Sequence, residues 1–348
     1  MDKKKEFAEI FRSSFDDSDR RCRWFFEAIV DDPSEIFLTE SSAGTAQAAL
    51  LMQPYTFLYR GKHIDTAYIS CVATLPEQRS RGLASAILRR AICAAHERGV
   101  AACTLIPAES HLFYFYEKRG FAPVFYIDED RYTSIHHFDG SAGEPVEPTA
   151  DILRGLEARR GCCILHTPED FDEIAADTRL DGGAHILART DGTGKAAILF
   201  ANEGDTEVRV KCLMADAPEL ADAVLADLRQ AVGTKPMSVH TPPADGSEAH
   251  LRPFGMMRIT NPLPILSALA EDYPSLHISI ALTDRLIEAN SGIYTIGGGE
   301  VSLTPLAPGR YDLDIDIEVL AAILFSSHAI GSLIGLPARR PYMALMLE

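Results

Sequence analysis

The sequence lacks the features that mark several common protein classes. It has one tryptophan and seven cysteines, and no Cys-x-x-Cys pair that would suit a metal or a redox disulfide. An odd cysteine count without such spacing favours free thiols and a cytoplasmic compartment. No apolar segment follows the opening Met-Asp-Lys-Lys-Lys, so a signal peptide is not expected. No histidine or cysteine cluster has metal-ligand spacing, so no metal is predicted.

The chain also has fewer positively charged than negatively charged residues. The chain has 33 Lys and Arg against 50 Asp and Glu, a formal net charge of −17. Residues 1–127 sum to zero, so residues 128–348 carry the whole imbalance. An acidic surface repels nucleic acid and attracts cationic small molecules, although acidity also serves solubility alone.

Long apolar runs are almost absent. The one candidate, residues 319–336, contains Ser326, Ser327 and His328, so we expect a buried helix rather than a membrane span, and no membrane partner. At 348 residues with 47% apolar content, the chain is long enough for two or three domains.

The most informative stretch that is present runs from Val72 to Ser85 and reads VATLPEQRSRGLAS. A short β run ends at Pro76, and an apolar-periodic helix opens after Gly82. Small residues at such a turn allow backbone N–H groups to approach an anion, and the helix N-terminus adds partial positive charge. The predicted ligand is a phosphate or pyrophosphate, although the stretch lacks the Gly-Lys-Ser/Thr of a P-loop and the triple glycine of a dinucleotide site.

A second motif reads Phe-Tyr-Glu-Lys-Arg-Gly-Phe at residues 115–121, and its Tyr116 lies 34 residues after Gly82. That gap accommodates one helix, one strand (residues 101–106) and the start of another helix. The two motifs, in this order and spacing, resemble motif A and the Tyr-x-x-x-Gly-Phe element of the GNAT N-acetyltransferases. Each motif alone is a weak signal, and the pair is a strong one.

The resemblance implies acetyl-CoA as co-substrate and a role for each matching residue. Tyr116 would be the general acid that protonates the leaving thiolate, the alternative being an aromatic core residue. The backbone at the strand end would pair with pantetheine and polarise the thioester, and the turn would hold the pyrophosphate. The cofactor-binding set is Val72, Ala73, Thr74, Arg79, Ser80, Arg81, Gly82, Leu83, Ala84 and Ser85.

The order of predicted elements extends the resemblance over nearly the whole chain. Residues 1–140 match a GNAT domain, and residues 141–252 repeat its order with a Met-Ala-Asp-Ala-Pro-Glu turn that should not bind coenzyme A. Residues 253–348 look like a sterol-carrier-type sheet and helix. This arrangement resembles the Eis-like acetyltransferases, and the implied fold class is α/β (α+β): tandem GNAT folds, each a mixed twisted sheet flanked by helices, plus the C-terminal domain.

Three further residues and the chain end are candidates for handling the amine. In Eis-like proteins acidic and aromatic residues of the first helices receive the amine, which here implies Asp16, Asp17 and Trp24. The alternative is helix-end acids and a core tryptophan. The same resemblance implies that Glu348, through its α-carboxylate or side chain, is the general base, with a water-relayed base as the alternative.

The sequence therefore predicts a cytoplasmic, homo-oligomeric acetyl-CoA-dependent N-acetyltransferase. Its expected substrate is a primary amine on a cationic small molecule, such as a polyamine or an aminoglycoside. The competing hypothesis is a lipid or apolar-ligand binding protein that acts through the sterol-carrier-like domain. Cys71 could in principle form an acyl-cysteine, but a buried apolar thiol is the favoured interpretation.

Overall fold

A computed structural model describes residues 2–40, 44–180, 182–243, 251–325, 335–336 and 339–347. It divides into two compact units. The first comprises Met1–Phe125 with Phe254–Arg340, and the second Tyr126–Pro253 with Pro341–Leu347. The finer division at residues 140 and 252 stays a prediction.

The first unit opens with helices and a sheet and closes with a smaller sheet. Its elements are α1 (Lys3–Ser14), α2 (Asp19–Trp24), β1 (Ile36–Glu40), β2 (Ala46–Tyr59), β3 (Lys62–Thr74), α3 (Leu83–Glu97), β4 (Ala102–Leu105) and α4 (Ser110–Glu117). The chain passes to the second unit within β5 (Ala122–Tyr132).

The second unit repeats the strand and helix order of the first. Its elements are β6 (Glu144–Val146), α5 (Ala150–Arg160), β7 (Cys162–Leu165), α6 (Pro168–Leu180), β8 (Ala184–Thr190), β9 (Ala196–Glu203), β10 (Val208–Ala215), α7 (Pro218–Val232) and β11 (Met237–Thr241). The strands are ordered β5-β11-β10-β9-β8-β6, and only β10 and β11 pair in parallel among the register pairs described.

The chain returns to the first unit within β12 (Leu251–Ile259). The remaining elements are α8 (Pro262–Asp272), β13 (Ile278–Thr283), β14 (Gly292–Gly297), β15 (Glu300–Thr304), β16 (Leu313–Asp316) and α9 (Ile317–Phe325). The main sheet of this unit is ordered β1-β2-β3-β4-β12, and the smaller sheet β15-β14-β13-β16. Strand β3 runs parallel to β4 with α3 between them in the chain, the βα crossover that positions the site.

Apolar periodicity determines how α3 packs. Residues Ile87, Leu88, Ala91 and Ile92 are fully buried and share one face of the helix, which lies on the sheet in a core that also contains Leu50 and Ile69. Near Phe121 the same core holds Tyr116 and Met256. The site described below is therefore built on a rigid, well-packed layer.

Strand β2 is continuous although it contains a proline, since its register with β3 runs through Pro54, which pairs with Ala67. One predicted element differs from the structure. The long helix predicted from Val319 begins slightly earlier, at Ile317, and is described to Phe325, since residues 326–334 lie outside the described part. Within the described ranges, no helix is both long and apolar enough to cross a bilayer.

Candidate active site

The end of β3 is distorted by a β-bulge. Ser70 pairs with Leu51 and Ala73 pairs with Ala49, so Cys71 and Val72 together stand opposite the single residue between them on β2. Cys71 has a φ of 52°, in the left-handed region that a non-glycine residue enters only at a cost. The bulge turns the last residues of the strand away from a regular ladder.

On its other side, β3 separates from β4. Among the described residues, the register pairs between these parallel strands run from Thr66–Ala102 to Tyr68–Thr104. Beyond these pairs, Val72, Ala73 and Thr74 of β3 line a cavity. Strand backbone that borders a cavity can pair with an extended ligand as an added strand does.

The loop after β3 presents the N-terminus of α3. Ser80 and Gly82 have φ values of 63° and 81°, and the chain turns sharply into the helix at Gly82. No described side chain caps this helix end, and a Cβ built at Gly82 would meet no atom within 4 Å. The first-turn N–H groups and the positive end of the helix dipole therefore remain available to an anion.

Two arginines of the loop contact groups within the loop itself. The Nε of Arg79 donates to the backbone oxygen of Thr74 at 3.3 Å, which ties the loop to the strand end. The guanidinium of exposed Arg81 donates to the side-chain oxygen of Gln78. Arg79 lines the cavity, whereas Arg81 does not belong to the lining that the structure describes.

Tyr116 lies on α4 and lines the same cavity. Its side chain is 7% exposed and packs edge-on against Phe115 and Phe121, with ring centroids 5.1 and 5.9 Å away. Tyr114, two residues earlier, is 64% exposed, because that spacing turns a side chain to the other side of a helix. Tyr116 is thus both an aromatic core residue and a cavity residue, so the two interpretations of the motif are compatible.

Arg119 is a cavity residue that the sequence reasoning missed. Its Nε donates to the Ser85 hydroxyl at 3.1 Å, and its guanidinium lies over the Phe115 ring at 3.5 Å from the centroid. Desolvation by burial lowers the pKa of Arg119, and the neighbouring Tyr116 offsets part of this effect. The guanidinium nevertheless remains charged throughout the working range. Arg119 therefore places a cation beside the first turn of α3.

The cavity has a volume of about 470 Å³. Its lining is Ser14, Phe15, Val72, Ala73, Thr74, Gln78, Arg79, Ser80, Gly82, Leu83, Ala84, Ser85, Leu112, Phe115, Tyr116 and Arg119. It combines a helix N-terminus, arginine side chains, the backbone of a strand end and a phenol. These groups fit the phosphates, the amide-bearing arm and the thioester of acetyl-CoA.

The residues predicted to receive the amine do not belong to this lining. Ser14 and Phe15, at the end of α1, belong to it, whereas exposed Asp16, half-buried Asp17 and half-buried Trp24 do not. Asp17 lies 3.9 Å from the Nε of Arg21, at the start of α2. Glu348 lies outside the described residues. The roles of all four stay predictions.

The corresponding turn of the second unit has different chemistry. Asp216 follows β10 and accepts two hydrogen bonds from the Arg159 guanidinium, at 2.6 and 2.7 Å, and one from the backbone of Ala196. Pro218 opens α7 and offers no N–H group. A carboxylate and a proline stand where the first unit has glycine and an uncapped helix end. That this turn binds no coenzyme A stays a prediction.

Comparisons with known proteins agree with this geometry. Residues 1–124 match the family model described as an acetyltransferase (GNAT) domain. No curated protein matches the sequence. Among solved structures, a probable N-acyltransferase from Enterococcus faecalis is similar with a TM-score of 0.76 and 17% identity, covering 98% of this chain and 96% of that one.

Two other solved structures show the same likeness. A GCN5-related N-acetyltransferase from Anabaena variabilis has a TM-score of 0.75 at 16% identity, covering 97% of this chain and 96% of that one. Eis1 from Mycobacterium abscessus has a TM-score of 0.66 at 15% identity, covering 92% and 90%. At such identities the likeness concerns the fold.

The comparisons confirm the mixed α/β fold with mixed sheets flanked by helices. They also show that residues 1–124 match an acetyltransferase (GNAT) domain, which agrees with the predicted enzyme class. GNAT domains use acetyl-CoA as co-substrate. The identity of the amine, the fold of the C-terminal domain and the roles of the individual site residues stay predictions.

Proposed function

We propose that this protein is an acetyl-CoA-dependent N-acetyltransferase acting on a primary amine of a cationic small molecule, such as a polyamine or an aminoglycoside. One observation carries the proposal. The uncapped N-terminus of α3, the bulged end of β3 and the Tyr116 side chain all line one cavity of the first unit. An anion site, a strand-pairing site and a proton donor thus meet within reach of one another.

The binding roles follow from the groups available. The N–H groups of Leu83, Ala84 and Ser85 hold the pyrophosphate, and Arg79 and Arg119 add positive charge beside it. The backbone of residues 72–74 pairs with the pantetheine arm and polarises the thioester carbonyl. Acetyl-CoA supplies the acetyl group as a thioester. The same backbone therefore orients the group that reacts.

The chemical role falls to Tyr116. The amine nitrogen forms a bond to the acetyl carbon as the C–S bond breaks, and the Tyr116 hydroxyl gives its proton to the leaving sulfur. The amine loses a proton in the same reaction, and Glu348 is the residue proposed to take it. Burial of the phenol among Phe115 and Phe121 fixes the ring toward the cavity.

Charge supports a cationic substrate. The formal net charge of −17 attracts cations, and Asp16 follows the cavity residue Phe15 directly in the chain. All seven cysteines are free thiols, which supports the proposal of a cytoplasmic protein. Homo-oligomerisation and a sterol-carrier-like fold for residues 253–348 remain part of the proposal.

The direct test is acetylation of polyamines, aminoglycosides, lysine peptides and arylamines, followed by coenzyme A release. Tyr116→Phe removes the proton donor and keeps the ring, so turnover should fall by about 10²-fold with little change in coenzyme A affinity. Tyr114→Phe, which loses the same hydroxyl from an exposed position of the same helix, is the matched control and should keep full activity.

A different result would identify the competing function. If wild-type protein acetylates none of these amines, yet binds fatty acids or sterols through residues 253–348, the lipid-binding hypothesis replaces this one. Full activity of Tyr116→Phe would show that the Tyr116 hydroxyl is not the proton donor and that the residue has a structural role only.

A further inference from the structure

A buried ion pair lies behind the Tyr116 motif. The guanidinium of Arg258, on β12, donates to Oδ1 of Asp284 at 2.7 Å, and the two side chains are 3% and 1% exposed. Removing two charges from water is costly, and removing one partner of such a pair would leave the other charge buried and unpaired. The neighbours of the pair show which parts of the chain it connects.

On one side, Asp284 organises the loop that follows β13. Its Oδ1 accepts hydrogen bonds from the backbone N–H of Leu286 and Ile287 at 2.9 and 3.1 Å. Its Oδ2 accepts one from the Asn290 side chain at 3.0 Å, and Asn290 also donates to the backbone of Thr260. The carboxylate thus fixes the loop that carries Leu286 and Ile287.

The loop packs into the core that supports the site. Ile287 is buried in the hydrophobic cluster that contains Tyr116 and Phe121, and Leu286 packs against the same cluster. A segment nearly 170 residues further along the chain therefore forms part of the packing around the proposed proton donor.

On its other side, Arg258 lies against the turn that ends α4. A Cβ built at Gly120 would be 1.9 Å from a terminal nitrogen of Arg258, so the guanidinium occupies the space that a side chain would take. The turn itself is closed by the N–H groups of Arg119 and Phe121, which both donate to the Tyr116 carbonyl. The φ of 81° at Gly120 also favours glycine.

We propose that Arg258 and Asp284 are positioning residues for acetyl transfer: the pair clamps the turn after α4 and the 284–290 loop around Tyr116, and so fixes its hydroxyl relative to the cavity. This inference rests on the proposed function only for the role of Tyr116. The clamp acts mainly on turnover. Arg119 belongs to the same turn and donates to Ser85 at the start of α3, so a smaller effect on coenzyme A binding is expected as well.

The test compares Arg258→Met with Arg60→Met. Arg60 is a matched control because it forms another Arg–Asp pair of the same unit, with Asp272 at 2.5 Å, and its side chain is fully buried as well. Arg258→Met should lower kcat at least 10-fold with a smaller change in KM for acetyl-CoA, whereas Arg60→Met should leave kcat within 2-fold. Equal losses in both variants would overturn the clamp.

A second measurement is independent of activity. Hydrogen exchange of the 119–121 amides, compared with amides of β2, should accelerate in Arg258→Met and not in Arg60→Met. If Arg258→Met does not fold, Arg258→Lys serves instead, because it keeps the charge and removes the planar group that lies on Gly120. Unchanged exchange at 119–121 overturns the clamp.

The two proposals can fail separately. Wild-type protein that acetylates no amine would contradict the proposed function, while accelerated exchange in the Arg258 variant would still support the clamp. Normal acetylation by wild type and by Arg258→Lys, with unchanged exchange, would contradict the clamp alone.

Discussion

Glu35, just before β1, is a half-buried carboxyl with two acidic neighbours. Burial first, and then the charges of Asp32 and Asp31, raise its pKa from 4.5 to about 7. A carboxyl with a raised folded pKa binds protons more tightly in the fold than in the unfolded chain. Its ionisation therefore reduces stability as pH rises from about 4.5 through 7.

Glu35→Gln should stabilise the protein at pH 8 by about 1 kcal/mol, a value reduced from the full shift because the group is partly exposed. At pH 4.5 the gain should vanish, since the carboxyl is then largely protonated in the fold. Chemical denaturation at the two pH values measures the difference, with exposed Glu27→Gln as control. An equal gain at both pH values would show that ionisation of Glu35 is not its cause.

Residues of the site were predictable where they belong to a motif with local geometry. Gly82 stands at the turn of a strand–turn–helix motif, and Tyr116 stands just before the turn that ends a helix. Both line the cavity. Ser14 and Phe15 reach it only because α1 packs against the sheet, which no local pattern indicates. Arg119 did carry a signal, since a cation four residues after Phe115, just past the end of α4, can lie over that ring.

At the scale of the element, β3 shows what local patterns miss. Its apolar run predicted a strand, but not the bulge at residues 71–72, because propensity does not favour a cysteine in the left-handed region. The two-residue turn between β2 and β3 is similar: Arg60 and Gly61 have φ values of 53° and 75°, a hairpin turn that usually begins with asparagine. Pairing with neighbours stabilises both conformations.

The bulge provides a test of how strand shape affects the reaction. Cys71→Val places a β-branched side chain in the left-handed region, so stability should fall by about 1–2 kcal/mol and turnover by roughly 10-fold. Cys71→Ala should retain most of the turnover, because the reaction needs no thiol there. Thermal unfolding and steady-state kinetics of both variants measure these effects.

Opposite results would change the mechanism. Loss of turnover in Cys71→Ala with intact coenzyme A binding would support an acyl-cysteine. Wild-type kinetics in Cys71→Val would show that the bulge does not shape the site.

At the scale of the whole molecule, the discontinuity of the units was not predictable. Each unit is assembled from separated stretches, with residues 254–340 joining the first and 341–347 the second. Tyr342 stands opposite Cys163 of the second unit in a parallel bridge: its N–H donates to the Cys162 carbonyl and its carbonyl accepts from the Ile164 N–H. Residues 342–344 are buried. Periodicity predicts helices and strands but not which of them pair at long sequence separation. The order of elements could therefore be predicted, whereas the assignment of residues 254–340 to the first unit and 341–347 to the second could not.

The acidity of the whole chain predicts how substrate capture responds to salt. The KM for a polyamine should rise several-fold between about 50 and 500 mM NaCl, because screening shortens the range of attraction from about 14 Å to about 4 Å. A neutral arylamine measured in parallel should show a much smaller change. A polyamine KM that is independent of salt would contradict electrostatic capture.

The central claim is that the N-terminus of α3 binds the phosphates of coenzyme A. Gly82→Glu places a carboxylate at that anion site, and Gly99→Glu is the matched control. Both glycines have φ near 80° and open space around the Cβ position, but Gly99 follows the other end of the same helix. In isothermal titration, Gly82→Glu should lose at least 100-fold in coenzyme A affinity while Gly99→Glu binds as wild type does. Unchanged affinity in Gly82→Glu would contradict the account.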